Sequence, residues 1–400
     1  MLSDVLPQSL RAQSDAHLFE SLMNNADVRR AAESALEDSE QMKIRRQLLA
    51  TSVRLTPTLA PDLHRMIDLC KEKLELDTSF EPYVYPSPSA NAAVVKPEDG
   101  RVFLLFSSQI LEMFDEGELT YVVGHELGHH KFEHHSLPVR AVLETAKVRA
   151  ATALQLFSWS RFAEISADRA GLFCAGSLEA VGRGLFKLAS GLRGTKTNLA
   201  IDALLAQMEE IEAAGIAKGK DVDRSEWFST HPFSPLRLKA AQLFANCSVM
   251  KEGGMTPEQM EIEVGTVMGV MEPGYLKAKT DQGRALRRVL LAAGMLVASA
   301  SGDVSEEEAD ALDELLGEGT VTDKLSVDAL REDLPSRVAD ANAEAPPMRR
   351  AQLLRDLCLI AIADGHADKA ERAMLVDVAK QLEVDPTLVD QTLDASLELD

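Results

Sequence analysis

His125, Glu126 and His129 form the pattern H-E-x-x-H within Val122-Val-Gly-His-Glu-Leu-Gly-His-His130. On a helix, side chains four apart sit one above the other on the same face. Two imidazoles placed in this way can share one cation. Neutral imidazole is a good zinc ligand, and a catalytic zinc keeps three protein ligands and one open position. Glu126 stands beside the pair, within reach of a water there. The chemistry that suits this constellation is hydrolysis, with zinc as Lewis acid and Glu126 as general base. Val122, Val123 and Leu127 flank the motif, so the helix is expected to be partly buried. Two histidines and a glutamate on such a face are costly without a cation.

A third ligand has to come from another helix. Arg161-Phe-Ala-Glu-Ile-Ser-Ala-Asp168 supplies Glu164 and Asp168, whose i, i+4 spacing puts both carboxylates on one face. Glu164 would complete a two-His, one-carboxylate set. Asp168 would accept the free N–H of a ligand histidine and fix its tautomer. The rivals as ligands are His130, His134 and His135. His130 points about 100° around the helix from His129. His134 and His135 are expected past the helix end, exposed to solvent.

The elements that must position these groups can be read from pattern. Asp115 followed three residues later by Glu118 is a helix-start signature. That helix runs through Leu119, Val122 and Val123 into the histidines. Leu63, Met66, Ile67, Cys70 and Leu74 share one face of a helix from Pro61 to Leu76. Residues 1–55 read as helical, and further helices are expected near 139–155, 158–173, 178–189, 198–213 and 236–245. Residues 91–96, the turn Pro97-Glu-Asp-Gly100 and the run Arg101-Val-Phe-Leu-Leu-Phe106 read as a β-hairpin. A substrate chain could add to an edge at residues 101–106, with Val102 and Leu104 as contacts. A plain core strand is at least as good a reading.

H-E-L-G-H, then E-x-x-x-D one helical hairpin later, then Ser229-Thr-His-Pro-Phe-Ser-Pro-Leu-Arg237 resembles the zinc metallopeptidases of family M48. That family includes the heat-shock membrane protease and the CAAX prenyl protease. The resemblance covers about residues 57–250, with the three motifs in the family's order. It implies His125, His129 and Glu164 as zinc ligands and Glu126 as general base. It also implies that His231 and Arg237 face the active site, where either would stabilise an oxyanion. His231 has a second potential role, filling the open zinc position to hold the enzyme latent. Asn91, in Ser-Ala-Asn-Ala, resembles the small-residue stretch before the strand that borders the cleft, and is a substrate-binding candidate. Gly124 stands where Ala or Ser is expected, a small packing difference. Members are often embedded in membranes, whereas this sequence offers no spanning helix.

Residues 295–316 repeat as 358–379, an offset of 63. In each copy an apolar helix ends at a glycine, and a cap-x-x-Glu start follows: Ser305 with Glu308, and Asp368 with Glu371. This duplicated helix–loop–helix is similar to the TerB-like tellurite-resistance domain, over about residues 284–400. The resemblance would gather Asp303, Glu307, Glu308, Asp364 and Glu371 near a divalent cation. Helix capping is the favoured reading of the same residues. The domain is expected to bind a protein partner or restrain the protease.

The fold class expected is mainly α (α+β): a zincin-like helical metallopeptidase domain with a small antiparallel sheet, then an all-α TerB-like domain. The expected division is an N-terminal helical region over 1–56, the metallopeptidase domain over 57–250, a linker over 251–283, and the TerB-like domain over 284–400. The net charge is −22, and residues 301–400 hold 25 Asp and Glu against 9 Lys and Arg. So acidic a surface repels phosphate backbones and argues against nucleic-acid binding. Four scattered cysteines suggest a reducing compartment. Residues 1–20 lack a signal-peptide pattern, and the longest apolar stretch, Val289 to Ala300, falls short of the roughly 20 residues that span a bilayer. A cytoplasmic protein without membrane insertion is expected. The expected function is zinc-dependent cleavage of protein or peptide substrates, in quality control or stress response. The alternatives are a non-proteolytic, zinc-stabilised peptide-binding chaperone or adaptor, and a metal-responsive scaffold acting through the C-terminal domain.

Overall fold

The structure, a computed structural model, describes residues 7–41, 44–98, 100–145, 150–193, 201, 203–207, 231–269, 271, 281–300, 302, 304–316, 320–322, 325–362 and 367–393. Its first unit holds, in chain order, α1 (Gln13–Asn24), α2 (Ala26–Gln41), α3 (Ile44–Thr51), β1 (Val53–Arg54), α4 (Pro61–Lys73), β2 (Ser79–Tyr85), β3 (Ala92–Glu98), β4 (Arg101–Ser107), α5 (Ser108–Met113), α6 (Glu116–Lys131), α7 (Val139–Thr145), α8 (Ala150–Ala175) from Leu156 onward, α9 (Leu178–Ser190) and α10 (Ser234–Ala245).

Local chemistry explains how α6, the helix with the H-E-x-x-H motif, begins. Asp115 Oδ1 accepts the N–H of Glu118, and Glu118 Oε2 accepts the N–H of Asp115, at 3.0 and 2.8 Å. This is a reciprocal capping box. Glu118 is fully buried. It also accepts from Lys187 Nζ at 2.6 Å and Arg183 Nε at 3.1 Å, which anchors α9 to the start of α6.

Helix α8 carries Glu164 and Asp168 and packs along α6 through small residues. A Cβ at Gly124 would lie 2.6 Å from Cys174 Cβ and 3.0 Å from Gly171 Cα. One at Gly128 would lie 2.7 Å from Ala170 Cβ. The close approach explains why glycine, rather than Ala or Ser, stands at 124. Helix α8 also begins within the first of the two helices expected near 139–155 and 158–173 and runs unbroken through the gap between them. No glycine or proline lies between Ala150 and Ala170 to break it.

The four strands lie in the order β1-β2-β4-β3. The expected hairpin is present as antiparallel β3 and β4, but β2 pairs parallel with β4, so the sheet is mixed rather than antiparallel. Strand β4 is interior, with both edges paired. Val102, Phe103, Leu104 and Phe106 are fully buried. Val102 and Leu104 therefore cannot meet a substrate at an edge. A continuous apolar run has no polar alternation to turn toward water, so it takes the centre of the sheet. The outer strand on that side is β3.

Residues 1–56 and part of 251–283 also differ from the expected division. Leu10, Ala12, Leu22 and Val28 are buried, β1 joins the sheet, and the N-terminal helices belong to the same unit as the motif. The segment expected as a linker contains a helix, Pro257–Met268, within that unit. Arg169 Nη1 donates to Glu261 there at 2.6 Å.

The second unit is built mainly from helices Asp281–Ala298, Glu306–Leu316, Val327–Glu344, Pro347–Ala361, Lys369–Gln381 and Thr387–Leu393. They enclose their own core, with Leu286, Val289, Leu312, Leu357, Ile360 and Leu375 buried. Both repeat copies use the capping chemistry. Glu308 Oε2 accepts from the N–H and hydroxyl of Ser305 at 3.0 and 2.7 Å, and Asp368 with Glu371 forms a full capping box. Asp303, Asp364 and the Glu307 side chain lie outside the described residues. No helix among the described residues is long and apolar enough to cross a membrane. All four cysteines are free and buried.

Candidate metal centre and active site

His125 Nε2 and His129 Nε2 lie 3.1 Å apart. Glu164 closes the group, with Oε2 at 3.5 Å from His125 Nε2 and Oε1 at 3.3 Å from His129 Nε2. Among the described residues, these three are the group of His, Cys, Asp and Glu whose ligand atoms all fall within 4.8 Å of one another.

The outer nitrogens fix the tautomers. Asp168 can only accept, so His125 Nδ1 donates to its Oδ1 at 3.0 Å, which leaves a lone pair on Nε2. Asp15 can likewise only accept, so His134 Nε2 donates to its Oδ2 at 3.0 Å. His134 Nδ1 is then the acceptor for His129 Nδ1–H at 2.8 Å, and His129 Nε2 also keeps its lone pair. Two lone pairs and a carboxylate thus face one another, which is repulsive unless a cation sits between them. A tetrahedral zinc with Zn–N bonds of 2.0–2.1 Å sets its ligand nitrogens about 3.3 Å apart. Glu164 Oε2 is buried and accepts no hydrogen bond, though Arg237 Nη2 lies 3.2 Å away. The donor set and the orphaned oxygen fit such an ion.

The electrostatics favour positive charge at this point. Burial alone would raise the Glu164 pKa, but Arg237 and His231 outweigh it and hold the carboxyl well below the usual range. Asp168 behaves likewise: burial opposes ionisation, and Arg237 overrides it. Burial would lower the His129 pKa, and Glu164 raises it instead. Arg237 donates to Asp168 from Nε at 2.8 Å and Nη2 at 2.7 Å. Its guanidinium is committed to the two carboxylates, so it braces the site, where an oxyanion donor was expected. Tyr121 OH adds a 2.6 Å bond to Asp168.

Two residues here, Tyr121 and Asp15, were not anticipated, and a third, His134, lies elsewhere than expected. Tyr121 lies one turn before His125, and that spacing was its signal. His134 was expected to be exposed. It is buried because Glu133, at φ 57°, ends the helix in the left-handed region and turns the chain back beneath the motif. Asp15 carried no local signal. His130, by contrast, shares a 3.0 Å hydrogen bond with Thr78 Oγ1, away from the converging set.

A cleft of about 340 Å³ opens at this group. His125, Glu126, His129 and Glu164 line it, with Ala92, Ala93 and Val94 of β3 along one side. His231 also lines it, largely exposed, with Nε2 at 3.5 Å from Glu164 Oε1. Asn91 precedes the lining strand residues, and its N–H donates to Ser107 Oγ at 2.9 Å. Ser229 and Thr230 lie outside the described residues.

Residues 57–244 match the model of peptidase family M48. The chain carries an M48 peptidase domain. Residues 287–393 match the tellurite resistance protein TerB. The chain is also similar to a protein of Arabidopsis thaliana named plastoglobule-localized metallopeptidase 48, chloroplastic. The two are 30% identical over 176 residues, which are 42% of this chain and 51% of the relative. The chain therefore spans about half the length of that relative. No solved structure matches. The M48 domain takes in the converging ligands and Arg237, while α1 and Asp15 precede it.

Proposed function

We propose that this protein is a zinc-dependent metalloendopeptidase that cleaves protein or peptide substrates in protein quality control or stress response. The observation that carries this reading is the convergence of two imidazole lone pairs and the Glu164 carboxylate in a cleft that Glu126 also lines. Zinc held by His125, His129 and Glu164 supplies Lewis acidity at that point. Asp168 orients His125, and Arg237 neutralises the paired carboxylates. Glu126 removes a proton from the attacking water and returns it to the leaving amine. His231 faces the cleft as donor to the oxyanion. Its exposure also suits the second role, occupation of the open metal position in a latent state. An extended substrate segment would lie along β3, with Asn91 and Ala92–Val94 beside it. The four free, buried cysteines support a reducing, cytoplasmic setting, and the acidic second unit is a docking surface for a protein partner.

The test is Glu126→Gln in the full chain. Cleavage of casein should fall about 10²- to 10⁴-fold, the usual worth of a general base, while bound zinc stays stoichiometric. Equal activity in the two proteins would end the protease reading and leave a zinc-stabilised peptide binder.

A further inference from the structure

Asp15, on α1, is fully buried and precedes the M48 domain. Its carboxylate accepts five hydrogen bonds. Arg11 donates from Nε and Nη2, both at 3.0 Å. Trp159 Nε1 donates at 2.9 Å and Ser166 Oγ at 2.7 Å, both from α8. The fifth donor is His134 Nε2 at 3.0 Å, and the other nitrogen of that ring accepts from the ligand His129. The Ala12 N–H donates to Ser166 Oγ at 2.9 Å, which holds the start of α1 on the helix that carries Glu164.

We infer that Asp15 is a positioning residue for the metal ligand His129, acting through His134, so that the N-terminal segment is a working part of the metal centre. This rests on the metallopeptidase reading above. The two ligand imidazoles are then braced in parallel. His125 donates its outer N–H to Asp168 directly, and His129 donates its own to a carboxylate through one intervening ring. Arg11, Trp159 and Ser166 already hold Asp15 from other sides, so its orientation does not depend on His134. The carboxylate orients His134, and His134 in turn selects the His129 tautomer that presents Nε2 to the metal. Partners of this kind fix ring direction and ligand basicity.

The experiment measures zinc affinity of the full chain by competition with a chromogenic chelator at fixed pH, alongside melting of the metal-free protein. Asp15→Asn and His134→Phe should each weaken zinc binding about 10- to 100-fold, the usual cost of losing an outer partner. His134→Gln should recover most of the loss, because an amide can accept from His129 and donate to Asp15. Leu22→Ala cuts back a buried side chain of α1 without touching the relay. It should lower the melting temperature and leave zinc affinity close to wild type. Wild-type affinity in Asp15→Asn and His134→Phe would overturn the inference and leave the metallopeptidase reading standing. A loss in Leu22→Ala as large as in Asp15→Asn would also overturn it, by showing mere loosening of α1. A wild-type protein that holds no zinc would sink both.

Discussion

At the scale of single residues, the centre is a set of carboxylates that stay ionised only because cations face them. Asp168 and Glu164 are both buried, and Arg237 reaches both. Arg237→Met strands two charges where water cannot solvate them. We predict a loss of about 3–5 kcal/mol in stability, the usual cost of breaking a buried pair, read by chemical denaturation. Arg237→Lys should restore little of it, because an ammonium lacks the planar fork that engages Asp168 with two nitrogens. Part of this site was legible in the sequence because its spacing is local. His125 and His129 are one turn apart on α6, as are Glu164 and Asp168 on α8. The brace on His129 was not legible. Asp15 and His134 are separated by 119 positions, and nothing around Asp15 marks it as other than an ordinary helix carboxylate.

At the scale of elements, the meeting of α6 and α8 decides whether the four side chains converge. The seam at Gly124 and Gly128 leaves no room for a side chain. Gly124→Ala pushes a methyl against Cys174 and the Gly171 backbone, which cannot swing away as a flexible side chain would. The expected penalty is about 1–3 kcal/mol, with a matching fall in bound metal as the helices part. Guanidinium denaturation and metal analysis of the same preparation would check both. The start of α6 could be anticipated because a capping box is written in two residues three apart. The pairing of β2 with β4 could not, since parallel partners are chosen by long-range packing. The apolar run at 101–106 was readable as a strand, yet its place at the centre of the sheet depends on β2, from another part of the chain.

At the scale of the whole molecule, two units each enclose a core of their own, and the proposed metal ligands all belong to the first. A ligand that binds only the folded state stabilises the unit that holds it. Calorimetry of the zinc-loaded chain should therefore show two transitions. A chelator should lower one by several degrees and leave the other in place, and a single transition shifted as a whole would contradict this. Strand β3, at the outer end of the sheet, has a consequence for what the cleft admits. If a substrate segment lies along β3 as proposed, only a polypeptide already drawn out straight would align its amides with that rim, and compact clients would be turned away until some stretch of them came loose. Along a threaded client, successive side chains point alternately toward the cleft and away from it. Discrimination would follow a two-residue cadence, strict at one position and lax at the next.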